Sequence, residues 1–124
     1  MKKFLIADDH FIVRTAVRHL IKEEFTEAEI DECREGECIW EKIQANEYDL
    51  AILDISMPFT DLFNLLKKVF SLKPDQKILI LTMNPEAGYA AKYLALGVKG
   101  FVNKGSDPCE IRRAIVNILN NKDA

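Results

Sequence analysis

Short apolar runs alternate along the chain with longer segments in which apolar residues recur at helical spacing. The runs lie at Phe4–Ala7, weakly near Glu29–Asp31, and at Leu50–Leu53, Ile78–Leu81 and Phe101–Val102. The runs that begin at Leu50 and Ile78 are uninterrupted, which is typical of central strands in a parallel sheet that helices cover on both faces. The pattern predicts five strands, of which the third and fourth are fully buried.

The segments between the runs predict five helices, each with one apolar face. The residues that mark these faces are Ile12, Val13, Ala16, Val17, Leu20 and Ile21; Cys38, Trp40 and Ile43; Leu62, Leu65, Leu66 and Val69; Tyr89, Ala90, Tyr93 and Leu94; and Ile111, Ala114, Ile115, Ile118 and Leu119. Asp107 and Pro108 predict the N-cap and the first residue of the last helix. The alternation predicts an α/β fold, a single three-layer domain with a parallel sheet.

The composition is that of an ordinary folded domain. With 124 residues, 48% apolar and 30% charged, the chain is long enough to bury one hydrophobic core. Its net charge of −3 gives no general attraction to nucleic acid or to an anionic membrane. No apolar run reaches the length of a membrane span, and the N-terminal run is too short and too acidic for a signal peptide. These properties favour a cytoplasmic protein with no membrane partner.

The cysteines and histidines show no metal-binding spacing. Cys33, Cys38 and Cys109 form an odd set without a C-x-x-C pair, so reduced thiols of a cytosolic protein are expected rather than a zinc site or a disulfide framework. His10 and His19 lack the i, i+4 spacing of a helical metal pair. They are interpreted as surface or edge residues.

Polar side chains follow four of the five predicted strands. Asp8 and Asp9 follow the first strand, Asp54 the third, Thr82 the fourth and Lys104 the fifth. Ligands of open parallel sheets bind beyond the carboxyl ends of the strands, so these side chains are expected to converge. Taken singly, each has a plain structural explanation as a helix cap, an Asx turn, a strand hydroxyl or a solvated lysine. Their shared position favours a functional site.

The charges of this set indicate its chemistry. Three clustered aspartates repel each other unless a cation lies among them. Carboxylate oxygens suit a hard divalent ion such as Mg²⁺, and Lys104 would bring the cluster and that ion to neutrality. A phosphoryl group on one carboxylate would then lie between the metal and Lys104, with Thr82 donating a hydrogen bond. A carboxylate nucleophile that forms an aspartyl phosphate is an established strategy, and the set is suited to it.

Four stretches of the chain, FLIADDH, LAILDISMP, ILILTM and LALGVKGFVNK, resemble the receiver domain of bacterial two-component response regulators. The resemblance covers essentially the whole chain and implies one receiver domain over residues 1–124. It also implies a doubly wound, flavodoxin-like, five-stranded parallel sheet with strand order 2-1-3-4-5. The site residues that it implies are Asp54 as phosphoacceptor; Asp8, Asp9, Asp54 and the backbone carbonyl of Ser56 as Mg²⁺ ligands; Thr82 and Lys104 as contacts of the phosphoryl group; and Thr82 and Phe101 as the switch pair.

The resemblance implies phosphorylation-dependent signalling. A sensor histidine kinase would supply the phosphoryl group, and Asp54 would accept it by self-catalysed transfer and lose it by autodephosphorylation. The chain would otherwise be no enzyme. Phosphorylation would shift the conformation of the face made by the fourth helix, fifth strand and fifth helix, which includes Tyr89, Tyr93 and Lys99. A homodimer would form through the same face.

The motifs resemble most closely the subfamily in which a LuxR-type helix-turn-helix output domain follows the receiver, so the expected role is control of transcription. That domain is absent from this sequence, which stops soon after the fifth predicted helix. DNA would be contacted only through it. We expect a piece of a longer transcription factor, with a stand-alone receiver as the alternative.

The chain departs from the pattern of the family at a few positions. Leu62 stands where the family usually has glycine, and since leucine does not take positive φ cheaply, the loop after the third strand is expected to be altered. Gly105 stands where many relatives have proline, so the turn after Lys104 is expected to be looser. Ser56 and Asn84 occupy positions that tune the phosphoryl lifetime in the family.

Three other functions fit parts of the pattern. A pseudo-receiver, acting as a phosphorylation-independent dimerisation or interaction module, would be favoured by loss of a key site residue, and none is lost. A hydrolase of the aspartyl-phosphate type usually has a second acid two residues after its nucleophile, where this chain has Ser56. A flavin-binding protein of similar fold needs a polar phosphate loop after the first strand, where this chain has the acidic stretch ADDH.

Overall fold

The computed structural model describes residues 1–83 and 88–121 and shows a five-stranded parallel sheet. Its strands are β1 (Lys3–Ala7), β2 (Glu29–Cys33), β3 (Leu50–Asp54), β4 (Ile78–Thr82) and β5 (Gly100–Asn103). They are ordered β2-β1-β3-β4-β5, which confirms the predicted doubly wound topology. Asn84 lies outside the described residues, so its predicted role is left as a prediction.

The helices begin and end close to the predicted segments. They are α1 (Phe11–Glu24), α2 (Gly36–Ala45), α3 (Leu62–Leu72), α4 (Ala90–Leu96) and α5 (Pro108–Leu119). The predicted start of α5 is confirmed, because Asp107 caps it by accepting the Cys109 N–H at 2.8 Å and Pro108 is its first residue. No helix within the described residues combines the length and the apolar character needed to cross a bilayer.

Side chains of the sheet alternate between two apolar layers. Phe4 and Ile6 of β1 pack in the layer with α1 and α5, whereas Leu5 and Ala7 pack in the layer with α2, α3 and α4. All residues of β3 and β4 are buried, which confirms the prediction from their uninterrupted apolar runs. Because all neighbouring strands are parallel, their carboxyl ends lie at the same end of the sheet.

Three predicted apolar helix positions do not reach this core. Ile12 is 80% exposed and Leu94 is 50% exposed, and Ala16 is exposed as well. Ile12 lies in the first turn of α1, just beyond the carboxyl end of β1. Little of the sheet therefore lies beneath it. In α2 the fully buried residues are Ile39 and Ile43, of which only Ile43 was predicted.

The prediction of three reduced thiols is wrong for two of them. The structure joins Cys33, the last residue of β2, to Cys38 in the first turn of α2, with their Cα atoms 5.7 Å apart. Cys109 is a free, exposed thiol. The turn from β2 into α2 brings the pair together, although its spacing is not a recognised motif.

Leu62 does not take positive φ, and the predicted alteration of the loop after β3 relative to the family stays a prediction. Leu62 is buried as the first residue of α3, and the left-handed conformation falls instead on the exposed Phe59, with φ of 54°. The sequence predicted a looser turn after Lys104. In the structure, two hydrogen bonds hold this turn. The Gly105 N–H donates to Asn103 Oδ1 at 2.7 Å, and the Ser106 N–H donates to the Asn103 carbonyl at 3.0 Å.

Candidate functional site

Two neighbouring strands bring a pair of carboxylates together at the carboxyl end of the sheet. Ala7 of β1 lies opposite Leu53 of β3 in the parallel register, so Asp8, which follows β1, lies beside Asp54, the last residue of β3. Asp8 is 0% exposed and Asp54 is 1% exposed. Two acids at this depth require a neighbouring positive charge.

Lys104 supplies that charge. Its backbone N–H donates to the Thr82 carbonyl at 2.8 Å, which carries the pairing of β4 and β5 one residue further. Its Nζ lies 2.9 Å from Asp8 Oδ2 and 3.4 Å from Asp54 Oδ2. The ion pairs therefore hold the ends of β1, β3 and β5 together at a site that is largely shielded from solvent.

Asp9 and His10 lie on the outer side of the cluster. His10 Nδ1 is 3.0 Å from Asp8 Oδ1 and 3.3 Å from Asp9 Oδ1, and it is 3.2 Å from Lys104 Nζ. The prediction that His10 lies at the surface is confirmed, since its side chain is 64% exposed, but its place beside the acids was not predicted. One ligand atom from each of Asp8, Asp9, His10 and Asp54 lies within 4.8 Å of the others.

The carboxylates keep acceptor capacity that the described protein groups do not use. Asp54 Oδ1 accepts the Ser56 N–H at 3.1 Å, and Asp8 Oδ1 accepts the His10 N–H at 2.8 Å. Within residues 1–83 and 88–121, the buried oxygens Asp8 Oδ2, Asp9 Oδ1 and Asp54 Oδ2 have ion-pair contacts with Lys104 or His10 and accept no further hydrogen bond. Buried acceptors are normally satisfied, and an excess of carboxylate charge over one lysine suits a divalent cation. The donor set therefore fits a metal ion.

Burial and charge set the protonation of the two central groups. Burial raises the pKa of the Asp54 carboxyl and the Asp8 charge raises it further, while the Ser56 N–H and Lys104 act in the opposite direction without cancelling the rise. Burial lowers the pKa of Lys104, but its contacts with Asp8 and Asp54 outweigh burial, so the pKa is raised. The site therefore combines a permanently charged ammonium group with a carboxylate that binds a proton more tightly than usual.

Thr82 and Phe101 lie towards α4. The Thr82 hydroxyl, at the buried end of β4, is hydrogen-bonded to the hydroxyl of Tyr89. The half-buried Phe101 packs its ring against Tyr89 and Tyr93, with centroids 6.2 Å apart in each pair. Tyr93 is buried, which confirms its predicted place on the apolar side of the fourth helix.

Sequence reasoning found the central residues and missed two neighbours. The structure brings Asp8, Asp9, Asp54 and Lys104 together as the strand ends predicted, while the Ser56 carbonyl as a metal ligand is left as a prediction. The position of His10 directly after two aspartates was the available signal for its place in the cluster. No spacing in the sequence pairs Tyr89 with Thr82.

Comparisons with known proteins agree with this geometry. Residues 4–116 match the family described as response regulator receiver domain. A putative transcriptional regulator of Pseudomonas aeruginosa is 37% identical over 120 residues, which make up 96% of this chain and 57% of that protein. The fimbriae Z protein of Salmonella typhimurium is 34% identical over 115 residues, which make up 93% of this chain and 55% of that protein. The chain thus spans about half the length of the curated relatives it matches.

A solved structure matches along the whole fold as well. It is a LuxR family two-component response regulator from Aurantimonas sp., with a TM-score of 0.88 and 27% sequence identity, and the match covers 98% of this chain and 87% of that one.

Proposed function

The chain belongs to the response regulator receiver domain family, and on that premise we propose that it is a phosphorylation-dependent signalling switch with Asp54 as its phosphoacceptor. One observation carries the assignment of the site. Asp54 is buried, and among the described residues its Oδ2 has the ion-pair contact with Lys104 Nζ at 3.4 Å and no further hydrogen bond. A carboxylate kept in this state is suited to a covalent role.

In the proposed reaction, an Asp54 oxygen attacks the phosphorus atom of the donor. A phosphorus–oxygen bond forms on Asp54 while the bond from phosphorus to the leaving group of the donor breaks. The Ser56 N–H, 3.1 Å from Asp54 Oδ1, fixes the orientation of the carboxylate. The raised pKa of Asp54 makes the ionised carboxylate a better nucleophile, because nucleophilicity rises with basicity. Water later hydrolyses the acyl phosphate, so the domain is a switch and not an enzyme for an external substrate.

Asp8, Asp9 and Asp54 would hold Mg²⁺ together with the backbone carbonyl of Ser56. The ion, when bound, neutralises negative charge on the phosphoryl oxygens. Lys104 would pair with a phosphoryl oxygen, since its charged Nζ already lies next to the carboxylate that receives the group. Support for this assignment of roles comes from the buried carboxylate oxygens, which have ion-pair contacts and accept no further hydrogen bond from the described residues.

Thr82 and Phe101 would transmit the change to the face of α4, β5 and α5. A phosphoryl oxygen on Asp54 would compete with Tyr89 for the Thr82 hydroxyl. Any displacement of Tyr89 must move the packing of its ring on Phe101, because the two rings are in contact. Phosphorylation would then shift the population of two arrangements of this face.

A groove beside the site offers a docking surface for a sensor histidine kinase. It lies between α1 and α5, has a volume of about 400 Å³, and is lined by apolar residues such as Ile12, Leu20 and Ile111 together with Lys104. A helix of the kinase with an apolar face could lie in it and bring a phosphohistidine close to Asp54. The exposure of Ile12 in this chain supports the assignment.

We further propose that residues 1–124 are the receiver domain of a cytoplasmic transcription regulator. A relative that is described as a putative transcriptional regulator, and the share of its length that the chain spans, support this proposal. DNA would be contacted through an output domain outside this sequence, and dimers would form through the face of α4, β5 and α5. The pseudo-receiver alternative is not favoured, because every residue that phosphorylation needs is present.

The test is intact mass after incubation with acetyl phosphate, with and without Mg²⁺. We expect one added phosphoryl group in the native chain with Mg²⁺, and none without the ion or in Asp54→Ala. Asp75→Ala is the matched control, because Asp75 is an exposed aspartate outside the acidic cluster, and it should be modified like the native chain. A native chain that gains no phosphoryl group in the presence of Mg²⁺ would contradict the proposed function.

A further inference from the structure

We propose that Cys33 and Cys38 form a reversible disulfide that makes the phosphoacceptor site sensitive to the thiol–disulfide state of its surroundings. The pair joins the end of β2 to the first turn of α2. This inference rests on the proposed function, since the property that it regulates is phosphorylation of Asp54.

The bond links to α2 an edge strand that buries little apolar surface. β2 lies at the edge and pairs only with β1. Of its five residues only Cys33 is buried, while Glu29 and Glu32 are exposed. Apolar packing therefore holds this strand weakly, and the link from Cys33 to Cys38 adds a covalent attachment at the end that lies next to the site.

Cys33 is coupled directly to the acidic cluster. Its backbone carbonyl accepts the N–H of Asp8 at 3.1 Å. Asp8 in turn contacts Lys104 and, through Lys104, faces Asp54. A movement of Cys33 at the end of β2 would therefore alter the hydrogen bond that holds the backbone of Asp8, which lies at the centre of the site.

The other end of the bridge is coupled to the loop that follows Asp54. The N–H of Gly36, the first residue of α2, donates to Thr60 Oγ1 at 3.0 Å, and the Thr60 hydroxyl donates to the Pro58 carbonyl at 2.9 Å. The approach is close, since a Cβ atom added at Gly36 would lie 2.8 Å from Thr60 Cγ2. The disulfide thus lies between the two loops that flank the phosphoacceptor.

Accessibility indicates how the bond would form. Cys38 is half-buried, whereas Cys33 is 2% exposed, so a small disulfide such as oxidised glutathione would meet the Cys38 thiolate first. Attack by Cys38 breaks the donor S–S bond, releases one donor thiolate and leaves a mixed disulfide on Cys38. The Cys33 thiolate then attacks the Cys38 sulfur and releases the second. The chain loses two electrons and two protons, and the donor is reduced to two thiols.

The coupling predicts the direction of the effect. The oxidised chain keeps Asp8 and the loop after β3 in the arrangement described above, while the reduced chain frees the end of β2. We expect reduction to slow phosphoryl uptake at least about three-fold, because positional precision dominates this kind of transfer. Exchange of the Asp8 backbone amide should become about ten-fold faster, since local opening no longer has to work against the link.

The experiment uses the full chain equilibrated in buffers with a series of ratios of reduced to oxidised glutathione. Acid quenching followed by alkylation with N-ethylmaleimide counts free thiols by intact mass, and one thiol is expected in the oxidised chain against three in the reduced chain. Uptake from acetyl phosphate with Mg²⁺ and hydrogen exchange of the Asp8 amide without Mg²⁺ are measured on the same samples. Both quantities should change with the thiol count.

Two variants serve as controls. Cys109→Ser removes the exposed thiol and should keep the full redox dependence, whereas Cys38→Ser should behave like the reduced chain at every glutathione ratio. The proposal is overturned if the intramolecular disulfide does not form, or if the oxidised and reduced chains exchange the Asp8 amide and take up phosphoryl groups equally. Absence of uptake in both forms contradicts the proposed function, and equal Asp8 exchange would then overturn the redox coupling separately.

Discussion

The amino and carboxyl ends of the sheet differ in how completely their buried polar groups are hydrogen-bonded. At the amino end, Gln76 is 7% exposed and donates from Nε2 to the carbonyls of Tyr48 at 3.2 Å and Lys77 at 3.1 Å, and the Lys3 N–H donates to Asp49 Oδ2 at 2.8 Å. At the carboxyl end, one oxygen each of Asp8, Asp9 and Asp54 has an ion-pair contact and no further hydrogen bond from the described residues. Satisfied groups stabilise a fold, whereas unsatisfied groups kept in place indicate a site for a ligand.

The largest expected effect is loss of function at the carboxyl end. Lys104→Met removes the cation that lies between Asp8 and Asp54, and we expect phosphoryl uptake to fall about 100-fold, as for other losses of a preorganised charge. The measurement is the initial rate of uptake from acetyl phosphate with Mg²⁺. Lys99→Met is the matched control, because Lys99 is exposed, and its rate should equal that of the native chain. A rate for Lys104→Met within two-fold of native would refute the role of Lys104.

The next effect is a loss of stability at the amino end. Gln76→Ala removes the side-chain donor of the Tyr48 carbonyl, while the Lys77 carbonyl keeps the Ala51 N–H, and we expect the free energy of unfolding in urea to fall by about 2 kcal/mol. Phosphoryl uptake under conditions where the variant is folded should not change. Asp75→Ala, at an exposed neighbour, should stay within about 0.5 kcal/mol of native. Slower uptake by folded Gln76→Ala would show that the two ends are not separate in function.

Tyr48, which lies just before β3, predicts how the stability of the fold depends on pH. Burial raises the pKa of Tyr48, and the hydrogen bond from its hydroxyl to Asp31 Oδ2 at 2.6 Å raises it further. The unfolded chain therefore releases this proton first, so the contribution of Tyr48 to stability is present below a pH of about 10 and is lost as pH rises above that value.

We expect Tyr48→Phe to lower the free energy of unfolding by about 1 kcal/mol near neutral pH. The difference from the native chain should shrink above a pH of about 10. Urea denaturation of both proteins across this range is the measurement. A difference that stays constant with pH would argue against the role of the Tyr48 hydroxyl.

The smallest expected effect is a gain in stability at the carboxyl end. Since burial and Asp8 raise the pKa of Asp54, folding disfavours its charged form, and Asp54→Asn should raise the free energy of unfolding by about 1 kcal/mol near neutral pH without Mg²⁺. Asp49→Ala is the opposite case at the amino end, because Asp49 accepts the Lys3 N–H and alanine has no acceptor, and it should lower stability. If both variants changed the free energy of unfolding in the same direction, the proposed difference between the two ends would be wrong.

Comparison of the sequence with the structure shows where local patterns suffice. The uninterrupted runs of β3 and β4 identified buried strands, because a strand covered on both faces needs apolar residues at every position. The same rule weakened the prediction of β2, an edge strand that buries only Cys33. The helix face of α1 was overestimated at Ile12 because periodicity shows which side of a helix is apolar but not how far the sheet extends beneath it.

By itself, the sequence determined the strand ends and therefore the meeting of Asp8, Asp54 and Lys104, since parallel strands align their carboxyl ends and each residue sits at a fixed place after its strand. Only the tertiary structure decided the contacts that depend on how separate segments turn towards each other. These include the hydroxyl of Tyr89 on Thr82 and the bond between Cys33 and Cys38. Such contacts follow from loop geometry and packing between elements, which leave no periodic signal in the chain.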